Sequence, residues 1–239
     1  MKRWTAIILL VLLLGSLSGC DSLFPGLFDN WFPAFPDSSL VAYYDFDGAG
    51  TTILPDNSQY VNNGDIQQIS GVVAGKVGNA FSFDGIDDWV SVSDSESLRT
   101  ITRLTVDCWV KPHTLPAAGK PSSTGIAAFG KEEQGMWELR LMGDGAIYLL
   151  LNYGAASMAE VVSSPQLTVD TWRHVIATFD GALAKVYVDG TLVGEGACAG
   201  LVYPGEGSFL AIGVDFPGWD EYFDGLIDEL RIYNRVVAP

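Results

Sequence analysis

The sequence has no long stretch with helical spacing, only two histidines, three cysteines, and 13 basic residues against 29 acidic ones. Each shortage excludes something. Without a helical period, bundles and alternating helix–strand folds have nothing to be built from. His113 and His174 do not combine with the cysteines at zinc spacing, and there is neither a Gly-x-Ser-x-Gly elbow nor a glycine-rich phosphate loop. No activated nucleophile stands beside His174, which favours a structural role for it over a catalytic one. A formal net charge of −16 argues against nucleic acid or anionic lipid as a partner and suits cations and neutral glycans.

What is present begins with an export signal. Lys2 and Arg3 precede a short apolar run, Ile7 to Leu14, which is followed by Leu17-Ser18-Gly19-Cys20. The run is too short to span a bilayer, so residues 1–19 read as a signal peptide cleaved before Cys20. The pattern resembles the bacterial lipobox, which implies a lipidated Cys20 and a lipoprotein anchored in the cell envelope with its domain outside the cytoplasm. Removing Lys2 and Arg3 with the signal takes the formal charge from −16 to −18. Residues 20–37 are a linker whose prolines forbid regular structure. Its Trp and Phe side chains either lie at the membrane interface or pack back on the domain. Cys108 and Cys198 remain, and two alternatives stay open: a disulfide, permitted outside the cytoplasm, or two buried free thiols.

From residue 38 the chain repeats one design. Short runs such as Ala80–Phe83, Asp88–Val92, Leu104–Val110, Gly125–Phe129, Met136–Leu141, Ile147–Leu151, His174–Phe179 and Leu183–Val188 alternate with Gly, Asp, Asn and Pro turns. Gly143-Asp144-Gly145 and Asp189-Gly190 tolerate positive φ and should each close a hairpin. The expected architecture over residues 38–237 is all-β, a two-sheet sandwich or barrel. Near the end, Leu226, Asp228, Leu230 and Ile232 share one face of a strand by period two. If that face is the core, Asp228 must be paired, hydrogen-bonded or bound to a cation. The run Leu40–Gly48, also ending in acid, is the expected partner of this last strand.

Four segments carry a resemblance: Ala80–Val90, Leu104–Pro112, Thr171–Gly181 with Lys185–Gly190, and Phe223–Asn234. In this order they resemble the laminin-G-like jelly roll of the concanavalin-A-like lectin and glucanase superfamily. The resemblance implies two stacked antiparallel sheets with the first and last strands adjacent. Glucanases of that superfamily carry alternating carboxylates on one strand, set about 5 Å apart. No such triplet is found here, so no catalytic residue is assigned and an enzyme is not expected. The resemblance further implies a structural calcium where first and last strands meet, with Asp228, then Asp45 or Asp47 and the Gly85 carbonyl, as ligands. The alternative is that these acids cap turns. An EF-hand reading of Asp45, Asp47 and Asp56 fails at Ala49 and on the strand before it. For a ligand, the loop with Trp219, Asp220 and Tyr222 combines rings and acids; Trp137, Tyr153 and Trp89 are further candidates. The expected function is a non-catalytic, lectin-like carbohydrate-binding module recognising a glycan or a protein partner. The alternatives are a glycan-active hydrolase with an atypical site and an adhesion or scaffold component.

Overall fold

The structure, a computed structural model, describes residues 37–48, 52–69, 71–117, 123–131, 134–217 and 220–239. Within them Ser38–Pro239 forms one compact unit. Cys20 and the rest of the linker up to residue 36 lie outside the described residues, as does Trp219. No helix among the described residues is long and apolar enough to cross a membrane.

The chain is built from strands. The first eight are β1 (Leu40–Tyr44), β2 (Ile53–Leu54), β3 (Gly64–Gln67), β4 (Val72–Ala74), β5 (Asn79–Asp84), β6 (Trp89–Ser93), β7 (Leu104–Pro112) and β8 (Ser123–Lys131). They are followed by β9 (Gln134–Met142), β10 (Ile147–Leu151), β11 (Ala159–Val162), β12 (Arg173–Phe179), β13 (Leu183–Val188), β14 (Thr191–Ala197), β15 (Phe209–Ile212) and β16 (Asp224–Tyr233). One short helix, α1 (Glu96–Arg99), is capped by Ser95, whose side chain accepts the Leu98 amide. One sheet has the order β14-β13-β12-β7-β16-β5-β4, with β1 also on β16, and the other runs β11-β10-β9-β8-β15-β6-β3-β2. All the pairings are antiparallel, and first and last strands are neighbours, with Tyr44 opposite Leu230. The two expected hairpins form. Asp189 and Gly190 both take positive φ between β13 and β14, and Gly145 does so between β9 and β10, as the right-handed twist of the joined strands requires.

Alternation places the core. Val106, Cys108 and Val110 of β7 and Leu139, Leu141, Ile147 and Leu149 of β9 and β10 all enter one buried cluster. Phe46, Phe81, Phe83 and Phe223 form a chain of tilted and edge-on rings within it, with centroids 5.0, 6.3 and 6.4 Å apart. Each such side chain contributes about 1.5–3 kcal/mol by leaving water. Tyr44, fully buried, keeps its hydroxyl satisfied by donating to the Asn62 carbonyl at 2.6 Å.

One expectation is corrected and one open alternative is decided. The four-residue face of the last strand is broken: Ile227, Leu230 and Ile232 join the core, whereas Leu226 and Asp228 do not. The pairing of β16 with β7 slips between Asp228 and Arg231, and Glu229 within that slip has φ +55°. A bulge inserts an extra residue and reverses the phase of alternation. Of the two cysteine alternatives, the structure has the free thiols rather than the disulfide. Cys108 points into the core from β7, and burial pushes its thiol far up. Cys198 instead donates to the Gly200 carbonyl at 3.3 Å and accepts from Asn152 Nδ2.

Candidate functional site

Tyr148 of β10 stands opposite Arg140 of β9, while Leu150 stands between Glu138 of β9 and Glu160 of β11. None of these side chains belongs to the core cluster, whereas their strand neighbours Leu139, Leu149 and Leu151 do. They therefore occupy the outer face of the second sheet. The connection from β15 to β16 folds over this face. Val214 pairs with Tyr222 in an isolated bridge, and the Gly125 amide donates to the Glu221 carbonyl at 2.9 Å. Gly125 must lack a side chain, because a Cβ there would overlap the backbone of Val214 and Asp215. Between residues of the connection and the sheet lies a cavity of about 290 Å³. Tyr148, Tyr153, Met158 and Phe216 supply apolar walls, and Arg140, Glu160, Asp215 and Glu221 supply the charge.

Arg140 is the hub. Its Nη2 donates to Glu138 Oε2 at 2.6 Å and to Asp215 Oδ2, and its Nε donates to Glu138 Oε2 at 3.0 Å. Nη1 reaches Ser123 Oγ at 3.3 Å and the Glu221 carboxylate at 3.4 Å. Burial pulls the guanidinium pKa down, but Glu138, Asp215 and Glu221 outweigh it and raise it. Three acids on one cation cannot all ionise cheaply. Burial, then the neighbouring Glu221 and Glu138, raise Asp215, and burial raises Glu138 despite Arg140. One oxygen of each, Asp215 Oδ1 and Glu138 Oε1, is buried without a hydrogen-bond partner. The Glu138 oxygen faces Gly135, where a Cβ would collide with it; Asp215 lines the cavity. Tyr148 is raised by burial and by its hydrogen bond to Glu160.

The residues expected to hold calcium are divided between two turns. Asp228 is fully buried, and its Oδ2 accepts the Lys76 and Val77 amides at 2.7 and 2.9 Å while Oδ1 has no partner. Asp47 borders the same turn, accepting the Asn79 amide at 2.6 Å and abutting Gly78. Asp45 is turned back onto the Asp47 amide at 3.0 Å. Gly85, with φ +73°, belongs to the β5–β6 turn. There Asp84, Asp87 and Asp88 bring ligand atoms within 4.8 Å of one another, the one such trio among the described residues. Asp84 Oδ1 caps Ile86 and Asp87 there, and burial and then Asp84 raise Asp88. Asp228 and Asp47 thus both cap the β4–β5 turn by accepting its amides, Asp45 caps the Asp47 amide, and Gly85 lies in another turn.

Of the aromatic candidates, Tyr153 lines the cavity and is 38% exposed. Trp137 is a core residue, and Trp89 packs on Phe209 at 6.0 Å. Asp220 is exposed with φ +56°, and Tyr222 is held in the bridge to Val214. Neither Asp220 nor Tyr222 is among the residues lining the cavity; Glu221 between them is. His174 is structural, stacked on Trp109 and bonded to Asp107 at 2.6 Å. Sequence reasoning missed Glu138, Arg140 and Asp215. The first two carried a signal, opposite charges on one face of an otherwise apolar strand; Asp215, between Val214 and Phe216, carried none.

Residues 84–239 match the family model described as concanavalin A-like lectin/glucanases superfamily. No curated protein matches the chain. Among solved structures, the binding domain of Paraclostridial Mosquitocidal Protein 1 aligns with a TM-score of 0.67 at 15% identity, over 83% of this chain and 49% of that one. Domain 4 of AbnA, a GH43 extracellular arabinanase from Geobacillus stearothermophilus, in complex with arabinotriose, aligns with a TM-score of 0.60 at 26% identity, over 82% and 92%. The binding domain of Botulinum Neurotoxin DC in complex with SialylT has a TM-score of 0.61 at 13% identity, over 84% and 49%. The chain spans about half the length of the two toxin domains.

Proposed function

Because the chain belongs to the concanavalin A-like lectin/glucanases superfamily, we propose that it is a glycan-binding module whose ligand enters the cavity around Arg140. The observation that carries this is the cavity itself: a pocket with two tyrosines and several carboxylate acceptors against one sheet face. Rings stack on sugar faces, and carboxylates accept sugar hydroxyls. The arabinotriose complex of the arabinanase domain supports a glycan over a protein partner. The module is non-catalytic in this reading, since two of its three described lining acids, Asp215 and Glu221, are tied to one guanidinium. A hydrolase is the second reading, favoured by the raised Asp215 carboxyl beside Glu221. The test is a glycan array on the full chain in detergent, with reducing-sugar release measured in parallel. Reversible binding that falls at least about tenfold in Tyr153→Ala is the expected outcome. Sugar release abolished by Asp215→Asn would replace this reading with the hydrolase, and the absence of any glycan binding would shift it to a scaffold with a protein partner.

The reading includes two further parts. Calcium is placed at the β4–β5 turn, where it would neutralise Asp228 with help from Asp47; the orphaned, buried Oδ1 of Asp228 supports it. Saturating calcium should then raise the melting temperature by about 5 °C over EDTA, and Asp228→Asn should abolish the difference. Equal melting curves with and without calcium would remove the ion from the reading. The lipid anchor is placed at Cys20, with the domain outside the cytoplasm in the bacterial envelope. Cys20→Ser should move the protein from the membrane to the soluble fraction and abolish incorporation of labelled fatty acid; a variant that keeps both would overturn the anchor.

A further inference from the structure

We propose that the cavity selects glycans carrying a free amine, and that the ammonium of an amino sugar sits against Asp215 and Glu221. This rests on the glycan-binding reading and adds the charge class of the ligand. Among the described residues of the lining, Arg140 is the one basic side chain, against Glu160, Asp215 and Glu221. A guanidinium has five N–H donors. Here Nε–H goes to Glu138, Nη2 serves Glu138 and Asp215, and Nη1 serves Ser123 and Glu221. No N–H is left to greet a ligand carboxylate. An acidic sugar would add a negative charge to a group of acids and find no free cation among the described lining residues to meet it.

Acceptors, by contrast, are in surplus. Asp215 is 4% exposed, lines the cavity beside Glu221, and has one oxygen that no protein donor meets except a proton shared with Glu221. A buried acceptor left unpaired is costly, and a charged donor offsets that cost more fully than a hydroxyl does. A metal ion is a poorer occupant, because the trio of acids at metal spacing among the described residues lies elsewhere, at Asp84, Asp87 and Asp88. The exposed ring of Tyr153 at the cavity offers a face for the sugar.

Binding an ammonium has a consequence a neutral sugar lacks. Asp215 faces Arg140 and Glu138 from β9 and Glu221 from its own connection, with Tyr148 and Glu160 across the cavity. Burial and its acidic neighbours favour a proton on Asp215 in the free protein. An incoming cation favours the carboxylate, so the proton passes to the buffer as the ion pair forms.

The experiment is calorimetry on the full chain in detergent, at about physiological ionic strength to screen the acidic surface, in two buffers of different ionisation enthalpy. Glucosamine, N-acetylglucosamine and glucose oligomers of one length and linkage are the probes, with a galacturonate oligomer as the anion. The glucosamine oligomer should bind at least about tenfold tighter than its acetylated and neutral counterparts, with proton release that they lack. Asp215→Asn should erase both the preference and the release, while Tyr153→Ala weakens every oligomer alike. Equal binding of the amine and neutral forms, or tighter binding of the anion, overturns the selectivity while leaving the glycan site intact. An unchanged preference in Asp215→Asn, with the fold verified by near-UV circular dichroism, likewise overturns it. If none of the oligomers binds and the wider glycan array is also blank, the site reading itself fails.

Discussion

Arg140→Met lowers stability by about 3–5 kcal/mol, the cost of removing one partner from a buried ion pair. At about 2–4 °C per kcal/mol for a domain of this size, the melting temperature falls by roughly 10 °C. The cause lies less in a lost attraction than in what stays behind. Glu138 is fully buried, Asp215 nearly so, and both lose the guanidinium that supplies their donors. Stranded Glu138 escapes by taking up a proton, so the penalty shrinks at acid pH; Asp215, raised to about 9, already holds one at both pH values. Thermal melts of wild type and variant near about pH 5 and pH 8 test this. An equal penalty at both would mean that methionine fails for reasons of shape, not charge. Replacing Glu138 and Asp215 together with Arg140 by apolar residues of similar size should recover much of the loss, since a buried ionic group is held against its own desolvation cost.

Between about pH 7 and pH 9 the wild-type domain loses stability, by up to about 1.4 kcal/mol per unit at the limiting slope. The folded pKa of Asp215 is raised to about 9, so in this window the folded protein holds a proton that the unfolded chain has already released. Stability falls with rising pH wherever the folded state binds more protons. Ordinary carboxylates are fully ionised over this range and drop out of the comparison. The buried thiol of Cys108, raised by burial, acts in the same direction at the upper end. Asp215→Asn, which holds the side chain neutral at all pH, isolates the carboxyl: its stability curve should be flatter than that of the wild type. Parallel curves for the two proteins would show that Asp215 is ionised in the folded state and fully paired with Arg140.

The fold was legible because its signals are local. Runs such as Leu104–Val110 and Ile147–Leu151 carry period two or continuous apolar character, and the turns between them carry the residues that tolerate positive φ. The adjacency of first and last strands also emerged as expected. The phase of β16 did not. It depends on Glu229 adopting φ +55° in a bulge against β7, and glutamate gives no hint of such a conformation. The Cys108–Cys198 alternatives could not be decided either, because a disulfide depends on a distance that strand packing sets.

The site divides in the same way. Of the ligand candidates, Tyr153 lines the cavity, Asp220 and Tyr222 do not, and Glu221 of the same loop does. That Glu138 and Arg140 meet Asp215 was not visible, because the residues lie some seventy-five positions apart by the Arg140–Asp215 separation. The alternating strand runs determine, from the sequence by itself, an all-β sandwich, and the excess of acid over base determines its net negative charge. Tertiary structure alone decided which acids are buried and which cation they share. Burial and pairing arise from the close passage of the β15–β16 connection over Gly125, a contact between chain segments that no local pattern records.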